Sequence, residues 1–489
     1  MKKCIKIAAI AAAALTLFTA YAAPKKDKAA KEKPAKEKSA KEKPAKGKKA
    51  KFDQEAYDAA FVAGDYDTCV AMLREKNDKH NLVKDSLDAD MLLLLSGNYL
   101  GSGKSFLETY GLMQQSTSEM DAGKSFSAAI AGENVLKYTG AEYERYLAWS
   151  MRLADALALK QTDVASGIMK DYVGTFMDEI QAIRAKNEEM AKKSEEALTD
   201  DKFKNAQKVL DGVVDFGIAG MIAKMPPKSK AKYETSPFFN YLGTLAFATA
   251  GDFEHAADFA GLYKVPGAKG ITSVPAGKGR LEVVALSGTI GQREEASVRD
   301  SYTITKFTGA VTLGTKLAYP VFQPQPHEID SVKVTLSDGS SAVATVIEDF
   351  DKAVAIDVAQ RARAAYSRSI FRNIMKNSII IASLIAADEI VKQSLGDPFT
   401  AKAAELGYAK AMKEAEKGFQ AFLDNERADV RQGIYFPHKA NAAGFSVAPG
   451  TYTVTVEYLN GSNVVETKTI ENVVVEDGKV CVAVSSCEK

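Results

Sequence analysis

Hydrophobic positions along this chain follow two periods. Through the first half apolar residues recur at helical spacing, and after Lys264 the period shortens to two. The helical signal is strongest between Glu142 and Tyr263. Tyr143, Tyr146, Leu147, Leu153, Ala154 and Leu157 fall at i, i+3, i+4, i+10, i+11 and i+14, one stripe of an amphipathic helix. A polar break at Lys160-Gln161-Thr162 precedes a second stripe: Ala165, Ile168, Met169, Tyr172, Val173, Phe176 and Ile180. Two such helices around a short break fold back as an antiparallel pair. Ser236 and Pro237 supply a cap and first turn for another helix, whose face carries Leu242, Leu245, Ala246 and Thr249.

Breaks of similar chemistry recur. Tyr57, Ala60 and Phe61 lead into Gly64-Asp65, and Phe247 leads into Gly251-Asp252. After each break an aromatic residue opens a stripe at offsets 0, +3, +4 and +7: Tyr66, Cys69, Val70 and Leu73, then Phe253, Ala256, Ala257 and Ala260. Phe106, Thr109, Tyr110 and Met113 repeat those offsets after Gly101-Ser102-Gly103. These breaks resemble the inter-helix turns of tetratricopeptide repeats, although the copies depart from that family's period of about 34 residues. A divergent tetratricopeptide-like helical domain over 52–268 is expected, with an ordinary helical bundle as the alternative.

Beyond it the period-two pattern predicts strands. Leu281 to Leu286 reads as a buried strand, and Val332, Val334 and Leu336 alternate up to an Asp338-Gly339 hairpin turn into Ala342–Ile347. Asp349 to Val391 and Lys402 to Phe422 read as helices. Tyr452, Val454, Val456 and Tyr458 alternate next. Asn460-Gly461 turns the chain into Val464–Ile470, and Asp477-Gly478 predicts a second hairpin into Val480, Val482 and Val484. The expected class is α+β: an N-terminal tetratricopeptide-like α-helical superhelix, then a mixed strand and long-helix region over 279–426. A small antiparallel β-module over 427–489 is expected to pack with 279–347.

Composition adds an address. Residues 1–22 read as a secretory signal, with Lys2, Lys3 and Lys6 before an apolar core and Ala20-Tyr21-Ala22 as a cleavage site. Residues 23–51 repeat Ala-Lys-Glu-Lys-Pro/Ser and carry 13 lysines against 4 acids, too polar to bury anything. This disordered tail is a spacer, or a contact to anionic wall polymer or lipid through 24–51. The chain as a whole is +1, so the remainder, 52–489, is acidic, unlike a nucleic-acid binder. No stretch of the mature chain is long and apolar enough to span a bilayer. A periplasmic or secreted protein without a lipid anchor is expected. In an oxidising compartment Cys481 and Cys487 are candidates for a disulfide.

Chemistry is sparse. Four histidines (His80, His255, His327 and His438) form no metalloprotease motif, and no Cys-x-x-Cys or Gly-x-Ser-x-Gly occurs. Asn98 stands where a phosphate-binding loop through Lys104-Ser105 needs its first glycine, so that stretch reads as a turn between helices. Asp429, Arg431 and His438 form the best polar cluster, either a structural ion pair or a ligand site. Arg361, Arg368, Arg372 and Lys376 lie at i, i+7, i+11 and i+15, a basic stripe that is a solvated face, pairs with the acidic body, or forms a binding ridge. No catalytic residue, metal site or cofactor is read from the sequence.

The order of several short motifs carries a wider resemblance. They are Tyr138-Thr-Gly140-Ala-Glu-Tyr143-Glu144-Arg145, Pro237-Phe-Phe-Asn-Tyr241-Leu242-Gly243, Leu317-Ala-Tyr-Pro320-Val-Phe, the Arg368, Arg372 and Lys376 helix, Ala428-Asp429-Val-Arg431 with Phe436-Pro437, and Pro449-Gly450-Thr-Tyr452. Together they resemble an uncharacterised family of bacterial envelope proteins, often lipoproteins, with tetratricopeptide-like helices first and a β-rich end. That family's lipid-bearing cysteine has no counterpart here, and Gly433-Ile434 stand where its tryptophan follows the Asp-x-Arg. The resemblance implies an envelope role near cell-wall synthesis. The expected function is a non-catalytic scaffold that binds an envelope protein partner. The alternatives are a peptidoglycan- or polysaccharide-binding protein and, last, a hydrolase with an unrecognised site.

Overall fold

The computed structural model describes residues 52–489 except 77, 120–131, 134–136, 308–309 and 395–397. The expected signal (1–22) and lysine-rich tail (23–51) lie outside the described residues. Helices come first: α1 (Gln54–Val62), α2 (Tyr66–Lys76), α3 (Leu82–Leu95), α4 (Tyr99–Ser118), α5 (Glu142–Ala158) and α6 (Thr162–Asp171). A π-turn at Tyr172–Phe176 carries α6 into α7 (Met177–Glu196). After it come α8 (Asp201–Asp211), α9 (Ile218–Ala223), α10 (Pro237–Thr249), α11 (Phe253–Tyr263) and α12 (Ala268–Thr272).

Four of the connections are the same three-residue turn. After α1, α3, α5 and α10 the chain enters the left-handed region at Gly64, Gly97, Lys160 and Gly251. In each, that residue's N–H reaches back three residues and the next N–H reaches back five, as with Gly64 to Phe61 and Asp65 to Ala60. This is the Schellman arrangement, which satisfies carbonyls that the helix end leaves open. Glycine fills three of the four positions because a Cβ is strained there. Asp65, Asn98 and Asp252 come directly after, and their side chains accept N–H groups of the next helix. The turn before α4 is therefore Ser96-Gly97-Asn98. The expected break at Gly101-Ser102-Gly103 is corrected: those residues lie inside α4, where Gly103 packs beside Asp155 of α5.

The sheets come next. β1 (Gly279–Ser287) is flanked by β10 (Val480–Cys487) and β7 (Lys439–Val447), with β6 (Thr345–Asp349) at the edge. The second four-stranded sheet runs β5 (Ser341–Val343), β4 (Ser331–Leu336), β8 (Gly450–Asn460), β9 (Asn463–Val475). Leu281, Val283 and Ala285 of β1 meet Val334, Val454 and Val456 of the second sheet. Val284 and Leu286, on the opposite face, join the helical core with Leu147, Leu242 and Phe436. Burial on both faces explains the apolar run Val283–Leu286 in β1. β2 (Gln292–Ile304) and β3 (Val311–Gln323) form a separate two-stranded ribbon. Against it lie α13 (Phe350–Ser394), 45 residues with no glycine or proline to interrupt it, and α14 (Pro398–Asn425). The protein is mixed α+β, with helices N-terminal and sheets C-terminal. Among the described residues no helix is long and apolar enough to cross a membrane.

Three expectations are corrected by the pairing. The residues from 427 onward are not a separate antiparallel module: β10 pairs with β1 in parallel, Leu281 opposite Cys481, and both sheets mix strands from before and after the long helices. Asp477-Gly478 joins strands of two different sheets and is not a hairpin turn. Cys481 and Cys487 do not pair, and both are free thiols. They lie six residues apart on one strand, about 20 Å at about 3.3 Å per residue, while a disulfide needs Cα atoms within about 7 Å.

Candidate functional site

Residues 426–438 have no regular structure, yet much of this strap is buried. Backbone N–H groups in such a segment need partners from elsewhere. Three carboxylates supply them: Glu295 accepts from Ala428 at 2.8 Å, Glu144 from Gly433 at 2.7 Å and Asp88 from Ile434 at 2.7 Å. Gln432 accepts from Arg293 N–H at 3.1 Å and donates to the Gly291 carbonyl at 2.9 Å. Burial raises the carboxyls of Asp88 and Glu144 above the ordinary value, against the pull of Lys84 and Arg293.

The strap separates the cluster expected from sequence. Asp429 and Arg431 meet in a two-pronged pair, Nε to Oδ1 at 2.7 Å and Nη2 to Oδ2 at 2.8 Å, and the Arg431 guanidinium lies over the Tyr138 ring. His438 is not with them. It faces Asp351 and His327, two residues that no sequence motif connects to it.

The basic stripe of α13 does not form an exposed ridge. Arg368 and Arg372 are 6% and 1% exposed. Arg368 takes both oxygens of Glu133 at 2.7 and 3.0 Å. Arg372 reaches Glu133 at 3.1 Å and both oxygens of Glu426 at 3.0 Å, and Ser369 donates to the same Glu426 at 2.7 Å. Burial opposes ionisation of Glu133, but the two guanidiniums outweigh it and hold its carboxyl below the ordinary value. Arg361 pairs with Asp357 one turn earlier, at 2.9 Å. Lys376 sits 4.1 Å from the Phe422 ring centre, and burial pushes its ammonium down to about 8. Arg368, Arg372 and Lys376 are thus engaged with groups outside α13, whereas the Arg361 pair lies within the helix. Glu133 and Glu426 carry no sequence signal, being isolated acids far from residue 372.

Among the described residues two cavities stand out. The larger, about 880 Å³, lies between the β2–β3 ribbon and α14, with Arg299, Lys413 and Lys417 beside Asp300 and Glu416. The smaller, about 260 Å³, is formed by α2, α3, α4 and the turn before α3, and is lined by Asp78, Asp85, Asp90 and Glu108 with Arg74, while Lys76 pairs with Asp85 Oδ1 at 2.9 Å. One oxygen each of Asp85 and Asp90 is buried there without a hydrogen-bond partner. Burial raises the Asp90 carboxyl to about 7, against the Ser105 and Thr109 hydroxyls. The one sequence signal for this site is Asp90 at the head of the apolar run Met91–Leu95, and it went unread. Family models, curated protein sequences and solved structures were compared with the chain, and none matches.

Proposed function

We propose that this chain is an exported cell-envelope scaffold, periplasmic or secreted, that holds a partner protein against its helical half and performs no reaction of its own. The acidic cavity carries the reading. Four carboxylate residues around about 260 Å³, two with an unpartnered buried oxygen, suit the cationic head of a lysine or arginine side chain presented by that partner. The repeated Gly-Asp/Asn turns support a tetratricopeptide-like superhelix, in which helical pairs offer a recognition surface. The resemblance to the envelope family supports export and a setting near cell-wall synthesis. The arginine stripe supports the non-catalytic reading, since its charges are engaged by Glu133, Glu426 and Asp357.

Photocrosslinking in intact cells tests this, with the reactive group at exposed Leu82 on the cavity wall. One envelope protein is expected, captured through a basic segment. The capture should disappear in the Asp85→Asn, Asp90→Asn double variant, whose thermal unfolding is checked separately. Capture of this chain alone, or capture unchanged in the double variant, refutes the proposal. Retention of the protein on purified cell wall with residues 23–51 deleted would favour polymer binding instead.

A further inference from the structure

His327, Asp351 and His438 come from separate places: the connection after β3, the first turn of α13 and the residue before β7. One ligand atom from each lies within 4.8 Å of the other two. Asp351 Oδ2 stands 3.3 Å from His438 Nδ1 and 3.5 Å from His327 Nε2. These separations exceed the usual hydrogen-bond range of about 2.7–3.2 Å. They match the spacing of about 3.3 Å between ligands on a tetrahedral ion with bonds of about 2.0–2.1 Å.

The surroundings are built for it. Both ring nitrogens of His327 and Nδ1 of His438 are buried without a hydrogen-bond partner. Buried polar atoms rarely remain so, and an ion at the centre would satisfy them. The other carboxylate oxygen, Oδ1, accepts the Gly291 N–H at 2.6 Å, which fixes the orientation of Oδ2. His438 is held by its own backbone, donating to Ser287 at 3.0 Å and accepting from Phe350 at 2.9 Å. Gly288 makes room: at φ +68° it has no side chain, and a Cβ would stand 3.1 Å from His438 Cβ and 3.3 Å from His327 Nδ1.

We propose that His327, Asp351 and His438 bind one divalent cation of the zinc class, which clasps the start of α13 to the β-sandwich. Two imidazoles and one carboxylate suit zinc and its first-row neighbours, whereas calcium and magnesium take oxygen ligands. Three protein ligands leave one coordination position open. The clasp shares no residue with the acidic cavity and does not depend on the scaffold reading.

The test uses untagged exported protein, stripped with EDTA and titrated with Co²⁺, then Zn²⁺. One Co²⁺ per chain is expected, with the intense visible absorption of a tetrahedral site, displaced by Zn²⁺. Zn²⁺ should also raise the unfolding temperature. His327→Asn and Asp351→Asn should each lower Zn²⁺ affinity at least about a hundredfold, and exposed His255→Asn should change nothing. Circular dichroism before titration establishes that each variant is folded; His327 is on a loop, so its variant remains a fair test if Asp351→Asn unfolds. Absence of stoichiometric Co²⁺ and Zn²⁺ binding in the unaltered protein overturns the proposal. So does unchanged affinity in the folded His327→Asn variant.

Discussion

Replacing Glu426 by glutamine asks whether the ion pairs under α13 hold the long helix to the strap. Glu426 is 2% exposed, and Arg372, which it faces with both oxygens at 3.0 Å, is 1% exposed. Glutamine keeps the shape and removes the charge. Two buried guanidiniums, Arg368 and Arg372, then have one carboxylate fewer beside them, with Glu133 still between them. Breaking a buried pair by removing one partner costs about 3–5 kcal/mol, because the surviving charge has neither water nor its counterion. Glu133 still balances part of it, so the lower end, about 3 kcal/mol, is expected.

Urea unfolding followed by Trp149 fluorescence and far-ultraviolet circular dichroism measures this. Trp149 is the single tryptophan and is 4% exposed. The second arm is Glu426→Gln with Arg372→Met. An apolar side chain of similar length removes the stranded charge, and replacing a buried pair in this way is generally close to neutral. The double variant should recover most of the loss. A single-variant cost below about 1 kcal/mol refutes the reasoning. So does a double variant in which the two costs simply add, since a coupled pair must show an interaction energy.

Asp90→Asn should flatten the pH dependence of stability. The folded carboxyl is raised from 3.8 to about 7, chiefly by burial, so the folded state binds its proton more tightly than the unfolded state. Its contribution is complete below about pH 4 and is lost as pH rises to about 7, up to about 4 kcal/mol. Unfolding free energies at pH 4 and pH 8 should therefore differ less in the variant; an unchanged difference contradicts the assignment. Non-reducing peptide mapping of exported protein should find no bond between Cys481 and Cys487. Gly251→Ala should cost about 1–2 kcal/mol because φ is +80° there. Gly261→Ala, inside α11 with open space around it, should gain up to about 1 kcal/mol; paired thermal unfolding checks both signs.

Where a structural choice was local, the sequence announced it. The stripe from Tyr143 to Leu157 and the Gly-Asp breaks mark α5 and the helical turns because a helix and its cap are closed within a few residues. Strand partnership is not local. Val480, Val482 and Val484 alternate like a hairpin partner of β9, but their partner is β1, some 200 residues earlier. The charged strand Gln292–Ile304 escaped notice because most of its side chains face water. The arginine stripe of α13 was visible as a stripe, but charge periodicity looks the same on a solvated face and on a buried face whose counterions lie at residues 133 and 426. His438 was singled out, and its companions were not, since 327 and 351 meet it only after both sheets have formed.

The strap shows why so many charges are buried in one place. The segment that joins α14 to β7 forms no regular strand, and the N–H groups of Ala428, Gly433 and Ile434 are met by side chains. A carboxylate answers such a group well, since it accepts more strongly than a neutral amide. Asp88, Glu144 and Glu295 do so, each contributed by a different element: α3, α5 and β2. Each carboxylate then needs a cation, and Lys84, Arg293 and Lys316 stand beside them. Arg293 in turn donates to the Arg431 carbonyl at 2.9 Å and pairs with Asp357 of α13 at 2.8 Å. The Asp429-x-Arg431 motif lies at the centre of this network, so its place in the sequence is set by the route of the chain. Glu426 fixes the first residue of the strap to the middle of α13, and His438 sets its last residue beside Asp351 at that helix's start. One helix thus holds both ends of the strap, and the helical layer and the sandwich are held together through it.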